Sequence, residues 1–339
     1  MSFVFFTVLL DFALAYYADK KTDQNKFISN KFSKSKHMQL NCKETKDYIF
    51  IGSSRTVFHI STEVFKNKGF DIYNFGVSDR TIFDYPYMVQ KVIDLPNKPK
   101  YVVISLKKSD LYAPYKEHFN SIALDDINAI HKVYDLGVWS SAVKAYIRNM
   151  HQLFVYADPM YLRLKQLYGK FNPSPKNTIL VNAKKNIEIV SKIETSKSDC
   201  KTFDYNYPSP IKVVAKCTNG DGILFGNTIK DINVKGTDDK VLNIKKIELL
   251  NYVLMMLKKN GIKSIVVFDP LFQSDDKGKN IDAIEADHIL DLTNERFKQT
   301  QWADTNHFNV FGREIYSRLL AQKLKDLQSK KGTENYEKN

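Results

Sequence analysis

The stretch that decides the fold is Tyr48-Ile49-Phe50-Ile51-Gly52-Ser53-Ser54-Arg55, an apolar run that ends abruptly in a glycine and two serines. The apolar run over residues 47–51 is typical of a strand that is covered on both faces. A helix-compatible segment follows, so a serine at this junction would lie at the carboxyl edge of a sheet, where free backbone N–H groups favour negative charge. The stretch therefore predicts a nucleophilic serine and part of an oxyanion hole. A simple turn is the alternative.

Strands and helices alternate through much of the rest of the chain. Further strands are predicted at residues 71–75, 101–106, 264–269 and 288–292, and helices at 60–68, 82–93, 244–259 and about 310–327. Such alternation implies parallel strands joined by right-handed crossovers. We therefore expect an α/β fold, a three-layer α/β/α sandwich with a mostly parallel sheet, whose sites lie beyond the carboxyl ends of the strands.

Residues from about 112 to 239 interrupt this alternation. Their first half has apolar residues near helical spacing, and their second half is richer in Asn, Ser, Lys and Pro. We predict a large, mainly helical insertion beside the sheet, within one α/β domain that spans residues 45–329. Residues 330–339 are predicted to form a disordered tail.

The amino terminus predicts a membrane anchor. Residues 3–17 are apolar apart from Asp11, and two tyrosines and two lysines mark the polar end of this segment, as in a short membrane span with an interfacial belt. Because no clear cleavage site precedes Asp19, residues 1–18 are interpreted as an uncleaved signal-anchor. A buried first helix is the alternative. The lysine-rich residues 19–44 are predicted to be a linker.

Composition limits the classes of partner. The 339 residues carry a formal net charge of +13, with 43% hydrophobic residues, which is typical of a folded globular protein. The positive excess is mostly dispersed lysine without a nucleic-acid-binding signature, so no nucleic acid is expected as a partner. A membrane surface or an acidic envelope polymer is the better-supported anionic partner.

The three cysteines are Cys42, Cys200 and Cys217, and they form no CxxC or Cys/His pattern. We therefore expect no metal site, and nothing in the sequence indicates a cofactor. In an oxidising compartment Cys200 and Cys217 could form a disulfide that leaves Cys42 free, whereas three reduced thiols are equally compatible with the sequence.

A second informative stretch, Asp304-Thr305-Asn306-His307, precedes the last predicted helix. In a tight turn, Asp304 can accept a hydrogen bond from Nδ1 of His307, which leaves Nε2 free to take a proton from a serine hydroxyl. A helix cap or a surface loop is the alternative.

Taken in order, Gly52-Ser53-Ser54, Asn74-Phe75-Gly76 and Asp304-x-x-His307 resemble the sequence blocks of the SGNH (GDSL-like) hydrolase family, which has a flavodoxin-like α/β/α fold. The resemblance implies that Ser54 is the nucleophile, that His307 and Asp304 complete the triad, and that Ser54 and Gly76 donate to the oxyanion. The third block departs from the family's Gly-x-Asn-Asp, since this chain has Lys107-Lys108-Ser109-Asp110. Ser109 is the candidate replacement donor.

Two further residues are candidates for substrate binding, Arg55 and Asn74. Arg55 would contact an anionic group beside the nucleophile. The alternative is a structural ion pair between Arg55 and Asp79 or Asp110, which would contribute little energy at the surface.

Gly-Ser-Ser-Arg together with an amino-terminal anchor is similar to a divergent, membrane-anchored branch of that family, whose members modify envelope polymers. The resemblance covers about residues 45–110 and 240–329. It implies an extracytoplasmic serine esterase or O-acyltransferase, in the periplasm or at the cell surface, that acts on an acylated envelope glycan through an acyl-enzyme. A membrane-bound acyltransferase is a further candidate partner. The alternative is an inactive scaffold of the same fold that binds a glycan or a partner acyltransferase.

Overall fold

A computed structural model of the protein describes residues 30–112, 119, 122–150, 200–203, 213–225, 242–272 and 281–334. The strands are β1 (Tyr48–Gly52), β2 (Ile72–Gly76), β3 (Tyr101–Leu106), β4 (Cys200–Phe203), β5 (Val213–Cys217), β6 (Gly222–Phe225), β7 (Lys263–Phe268) and β8 (His288–Asp291). The α-helices are α1 (Lys31–Asn41), α2 (Ser54–His59), α3 (Thr62–Asn67), α4 (Tyr85–Ile93), α5 (Leu124–Val133), α6 (Leu136–Met150), α7 (Ile244–Lys259) and α8 (Val310–Glu334).

The central sheet has five parallel strands in the order β2-β1-β3-β7-β8. Successive side chains of a strand point to opposite faces, and both faces are apolar. Ile49 and Ile51 of β1 join one core with α4, α5 and α7, whereas Tyr48 and Phe50 join a second core with α3 and α8. The predicted three-layer α/β/α architecture with a mostly parallel sheet is confirmed.

Two helix predictions differ from the structure. The helix predicted over residues 60–68 corresponds to α3 alone, and α2 is a separate helix that precedes it. The two helices are divided at Ser61, whose N–H donates to Ser317 Oγ on α8 (2.8 Å) and whose hydroxyl accepts from the N–H of Val64 as the cap of α3. Helix α8 continues to Glu334, past its predicted end at 327 and into the predicted tail.

The predicted linker at residues 19–44 is corrected, because it contains helix α1. Lys31 of this helix is fully buried and forms ion pairs with Asp84 (2.9 Å) and Asp126. Lys34 is also fully buried and donates to the carbonyl oxygen of Gly220. Burying a lysine is tolerated where its charge is paired or hydrogen-bonded, so the lysines of this segment attach α1 to the domain.

The described part of the insertion contains two helices, α5 and α6, and an antiparallel sheet in the order β4-β5-β6. The turn between β5 and β6 packs against β2, where the N–H of Asn74 donates to the carbonyl oxygen of Asn219 (2.9 Å). Gly220 has φ +92°, and a Cβ there would lie 2.2 Å from the carbonyl oxygen of Asn74, so this contact requires glycine. The turn covers the outer edge of β2.

Residues 1–18, where an anchor is predicted, lie outside the described residues. Within the part of the chain that the structure describes, no helix has the length and apolar character to cross a membrane.

The cysteines give a testable pattern of reactivity. Cys217 is disulfide-bonded, and Cys200 lies directly opposite it in the β4–β5 register, whereas Cys42 is a buried free thiol. Burial raises the pKa of Cys42 to about 12, so the reactive thiolate is scarce at neutral pH. We expect iodoacetamide to modify no cysteine in the native, unreduced protein and Cys42 alone after denaturation. Mass spectrometry counts the adducts, and modification of Cys217 without a reductant would contradict the expected pattern.

Candidate active site

Two glycines bring the nucleophile to the sheet edge. Strand β1 ends at Gly52, and Ser54 is the first residue of α2, where backbone N–H groups have no acceptor within the helix. A Cβ on Gly52 would lie 2.0 Å from Thr56 Oγ1, and one on Gly76 would lie 2.5 Å from the backbone nitrogen of Val57. Only glycine at these positions lets α2 lie so close to the ends of β1 and β2.

The loop before α8 holds the base. Trp302 and Phe308 form an isolated antiparallel bridge, and the N–H of Ala303 donates to the carbonyl oxygen of His307 (2.8 Å). The Asn309 side chain accepts from the N–H of Phe311 (3.1 Å) at the start of α8. These bonds close a short loop that presents His307 to the start of α2.

Ser54, His307 and Asp304 form a continuous hydrogen-bonded chain. Ser54 Oγ lies 2.8 Å from His307 Nε2, and His307 Nδ1 lies 2.9 Å from Asp304 Oδ1. The same carboxylate oxygen accepts from the backbone N–H groups of Asn306 (2.8 Å) and His307 (2.9 Å). Because a carboxylate only accepts, Nδ1 carries the proton and Nε2 is the acceptor for the serine hydroxyl. The side chains of His307 and Asp304 are 12% and 21% exposed, so both keep some contact with solvent.

The second sequence block has a structural role. The N–H of Gly76, predicted as an oxyanion donor, donates to Asn74 Oδ1 (2.9 Å). Asn74 Nδ2 in turn donates to the carbonyl oxygen of Thr56 in α2 (2.6 Å), and Asn74 is fully buried. Asn74, predicted to bind substrate, instead links β2 to α2. The N–H of Gly76 is already hydrogen-bonded and is not free to donate to an oxyanion.

The third sequence block brings a cation to the site. Ser109 lies in a 3₁₀ turn, Lys108–Leu111, directly after β3, and its hydroxyl forms no hydrogen bond with Ser54 or His307 in the described structure. Lys107 Nζ instead reaches Asn306 Oδ1 at 3.4 Å, one residue before the base. Lys108 is paired with Asp291 (2.6 Å).

Arg55 is only 2% exposed, and neither predicted ion pair, with Asp79 or with Asp110, is formed. Its one side-chain hydrogen bond among the described residues runs from Nη2 to Asn306 Oδ1, at 3.4 Å. Nε and Nη1 are buried there without an acceptor. Burial lowers the pKa of Arg55, while the charges of Asp269 and Asp110 oppose that effect.

Two buried residues near this site, His59 and Asp269, were not predicted from any sequence motif. His59 packs against Phe308, with ring centroids 4.4 Å apart, and lies 6.4 Å from the His307 ring. Burial, with Arg55 and His307 nearby, holds the pKa of His59 well below its usual range, so this ring stays neutral. Asp269, at the end of β7, accepts from Ser105 Oγ at 2.6 Å. Asp269 could have been identified in the sequence as an acidic residue that directly follows an apolar strand.

Chemically, the arrangement can remove a proton from Ser54 and return it to a leaving group. Among the residues that the structure describes, no three His, Cys, Asp or Glu side chains converge as metal ligands would. No family model, curated protein or solved structure matches the chain.

Proposed function

We propose that the protein is a serine-dependent esterase or O-acyltransferase that acts on an acylated cell-envelope glycan. The observation that carries the proposal is the 2.8 Å contact between Ser54 Oγ and His307 Nε2, with Asp304 on the opposite ring nitrogen. A serine, a neutral imidazole and an orienting carboxylate in this order are the parts that acyl transfer requires.

In the proposed reaction, His307 Nε2 takes the proton from Ser54 as Oγ attacks the acyl carbonyl carbon. The tetrahedral intermediate collapses when its bond to the sugar oxygen breaks, and His307 returns the proton to that oxygen. The acyl group on Ser54 is then attacked by water or by another sugar hydroxyl, which loses its proton to His307. The bond between the acyl carbon and Ser54 Oγ breaks, and His307 returns the proton to Oγ. The N–H of Ser54 is the first candidate donor to the oxyanion.

An extracytoplasmic location, with attachment through residues 3–17, forms part of the proposal. The disulfide at Cys217 supports it, because disulfides persist mainly in oxidising compartments. The excess of basic residues, 51 against 38 acidic ones, suits an anionic envelope polymer. A membrane-bound acyltransferase is a candidate source of the acyl group.

A second candidate function is that of an inactive scaffold, which binds a glycan or a partner acyltransferase. One observation favours it: the N–H of Gly76, which is the second predicted oxyanion donor, donates to Asn74 Oδ1. Loss of one oxyanion donor costs a factor of about 10²–10³ in kcat, so this bond would weaken an enzyme without abolishing its activity.

Fluorophosphonate labelling separates the two functions. We expect one stoichiometric adduct on the native full-length chain, mapped to Ser54 by peptide mass spectrometry, because only a serine activated by a base attacks the probe. Heat-denatured protein is the control and should remain unlabelled. A native protein that stays unlabelled at high probe concentration would favour the scaffold.

A further inference from the structure

Two cations beside the triad have no carboxylate partner within the described part of the chain. Arg55 and Lys107 form no ion pair with any described residue, and both direct a nitrogen at the same neutral atom, Asn306 Oδ1, at 3.4 Å. Contacts of this length are weak hydrogen bonds. Hydrogen-bonded charge pairs have nitrogen–oxygen distances of about 2.7–2.9 Å, so the amide oxygen satisfies neither cation well.

The carboxylates near these cations form hydrogen bonds with other groups. Asp269 accepts from Ser105 Oγ and Tyr316 Oη, Asp110 accepts from the backbone N–H of Lys107 (3.0 Å), and Asp304 holds His307. Burial raises the pKa of Asp269, while the charge of Arg55 and the hydrogen bonds from Ser105 and Tyr316 oppose that effect. Two positive charges therefore remain without a paired carboxylate next to the nucleophile.

A buried, unsatisfied guanidinium is costly. Arg55 is only 2% exposed, and two of the three nitrogens of its guanidinium have no acceptor in the described structure. Burial and the charge of Arg55 also lower the pKa of Lys107, while the charges of Asp110, Asp269 and Asp304 oppose that effect. Asn306, whose Oδ1 contacts both cations, is exposed, so solvent and ligands can reach its side chain.

We propose that Arg55 and Lys107 form an anion subsite, in which a phosphate or carboxylate oxygen of the substrate replaces Asn306 Oδ1. This inference extends the proposed function, since it assigns an anionic group to the acylated substrate close to the ester that Ser54 attacks. Arginine offers a planar fork to such a group, and lysine a point charge. The subsite would orient the ester and would take no part in the transfer of the proton.

Inorganic phosphate is the test ligand, titrated into the full-length protein by calorimetry at constant ionic strength. We expect saturable binding that weakens about tenfold in Lys107→Gln, the effect of losing one charge-assisted hydrogen bond. Asn306→Asp should weaken it at least as much, because the new carboxylate would occupy the subsite. Lys100→Gln is the matched control, since Lys100 is 63% exposed and pairs with Asp47 at the opposite edge of the sheet. Arg55→Lys is a second probe of the buried cation.

Each outcome decides the proposal. Absence of saturable phosphate binding, or equal affinity in Lys107→Gln and Lys100→Gln, would overturn it. If Lys107→Gln instead lowers kcat for neutral 4-nitrophenyl acetate by tenfold or more, the cations act on the reacting oxygen and the subsite is wrong. Phosphate binding by a protein that fluorophosphonate does not label would retain the subsite and reject the enzyme. Stronger inhibition of ester hydrolysis by galacturonate than by phosphate, in a protein that binds both, would identify a carboxylate as the preferred group.

Discussion

Replacing Ser54 with alanine is expected to lower kcat for 4-nitrophenyl acetate by on the order of 10⁴-fold or more, because the acyl-enzyme cannot form without Oγ. The fold should be unaffected, since the Ser54 side chain is partly exposed and its hydrogen bond runs to His307. Initial rates and the thermal unfolding midpoint, measured on the same preparation, separate lost chemistry from lost structure.

Ser53→Ala is the matched control for this experiment. Ser53 is the adjacent serine and caps α2, but its side chain forms no capping hydrogen bond. We therefore expect Ser53→Ala to keep kcat within about threefold of the wild type, in keeping with the small effect of an unused surface hydroxyl. Equal activity in Ser54→Ala and the wild type, or equal loss in both variants, would remove Ser54 from the mechanism.

The second large effect is expected at Asp304. In Asp304→Asn the amide can donate to His307 Nδ1, which would leave the proton on Nε2 and prevent that atom from accepting the serine proton. A change of this kind lowers kcat by about 10⁴-fold in a serine triad. The loop should persist, because the remaining Oδ1 can still accept from the N–H groups of Asn306 and His307.

A double variant tests whether Asp304 acts through the triad. Residues that work as a unit have non-additive effects on kcat, so Asp304→Asn should cause little further loss when Ser54 is already alanine. Asp326→Asn, on the exposed face of α8, is the control for a change of charge alone. Additive losses in the double variant would assign Asp304 to folding and not to catalysis.

The strands and helices of the central fold could be predicted because short stretches of sequence determine them. Strand β3 agrees with the predicted 101–106 and α7 with the predicted 244–259, since continuous apolar runs and helical spacing determine these elements within a few residues. The position of Ser54 followed from the rule that sites lie beyond the carboxyl ends of parallel strands, whereas its pairing with His307 was predicted from the resemblance of their sequence blocks.

The remaining features depend on residues that are far apart in the chain. Helix α1 is attached by the contact between Lys31 and Asp126, which are 95 residues apart. The break after α2 depends on the hydrogen bond between Ser61 and Ser317, which are 256 residues apart. No local pattern encodes such pairs. Asn74 is different, because its bond to the Gly76 N–H spans two residues and depends on a side-chain rotamer that the sequence does not specify.

The turn between β5 and β6 has a consequence for synthesis of the chain. Strand β2 presents an outer row of backbone groups that could pair with another chain. The turn that covers it comes much later, because Asn219 follows its partner Asn74 in β2 by 145 positions (219 − 74). At ordinary rates of translation that interval lasts roughly 10–30 s. During this time a nascent chain is open to mispairing, so the insertion contributes to the yield of folded molecules as well as to the shape of the finished domain.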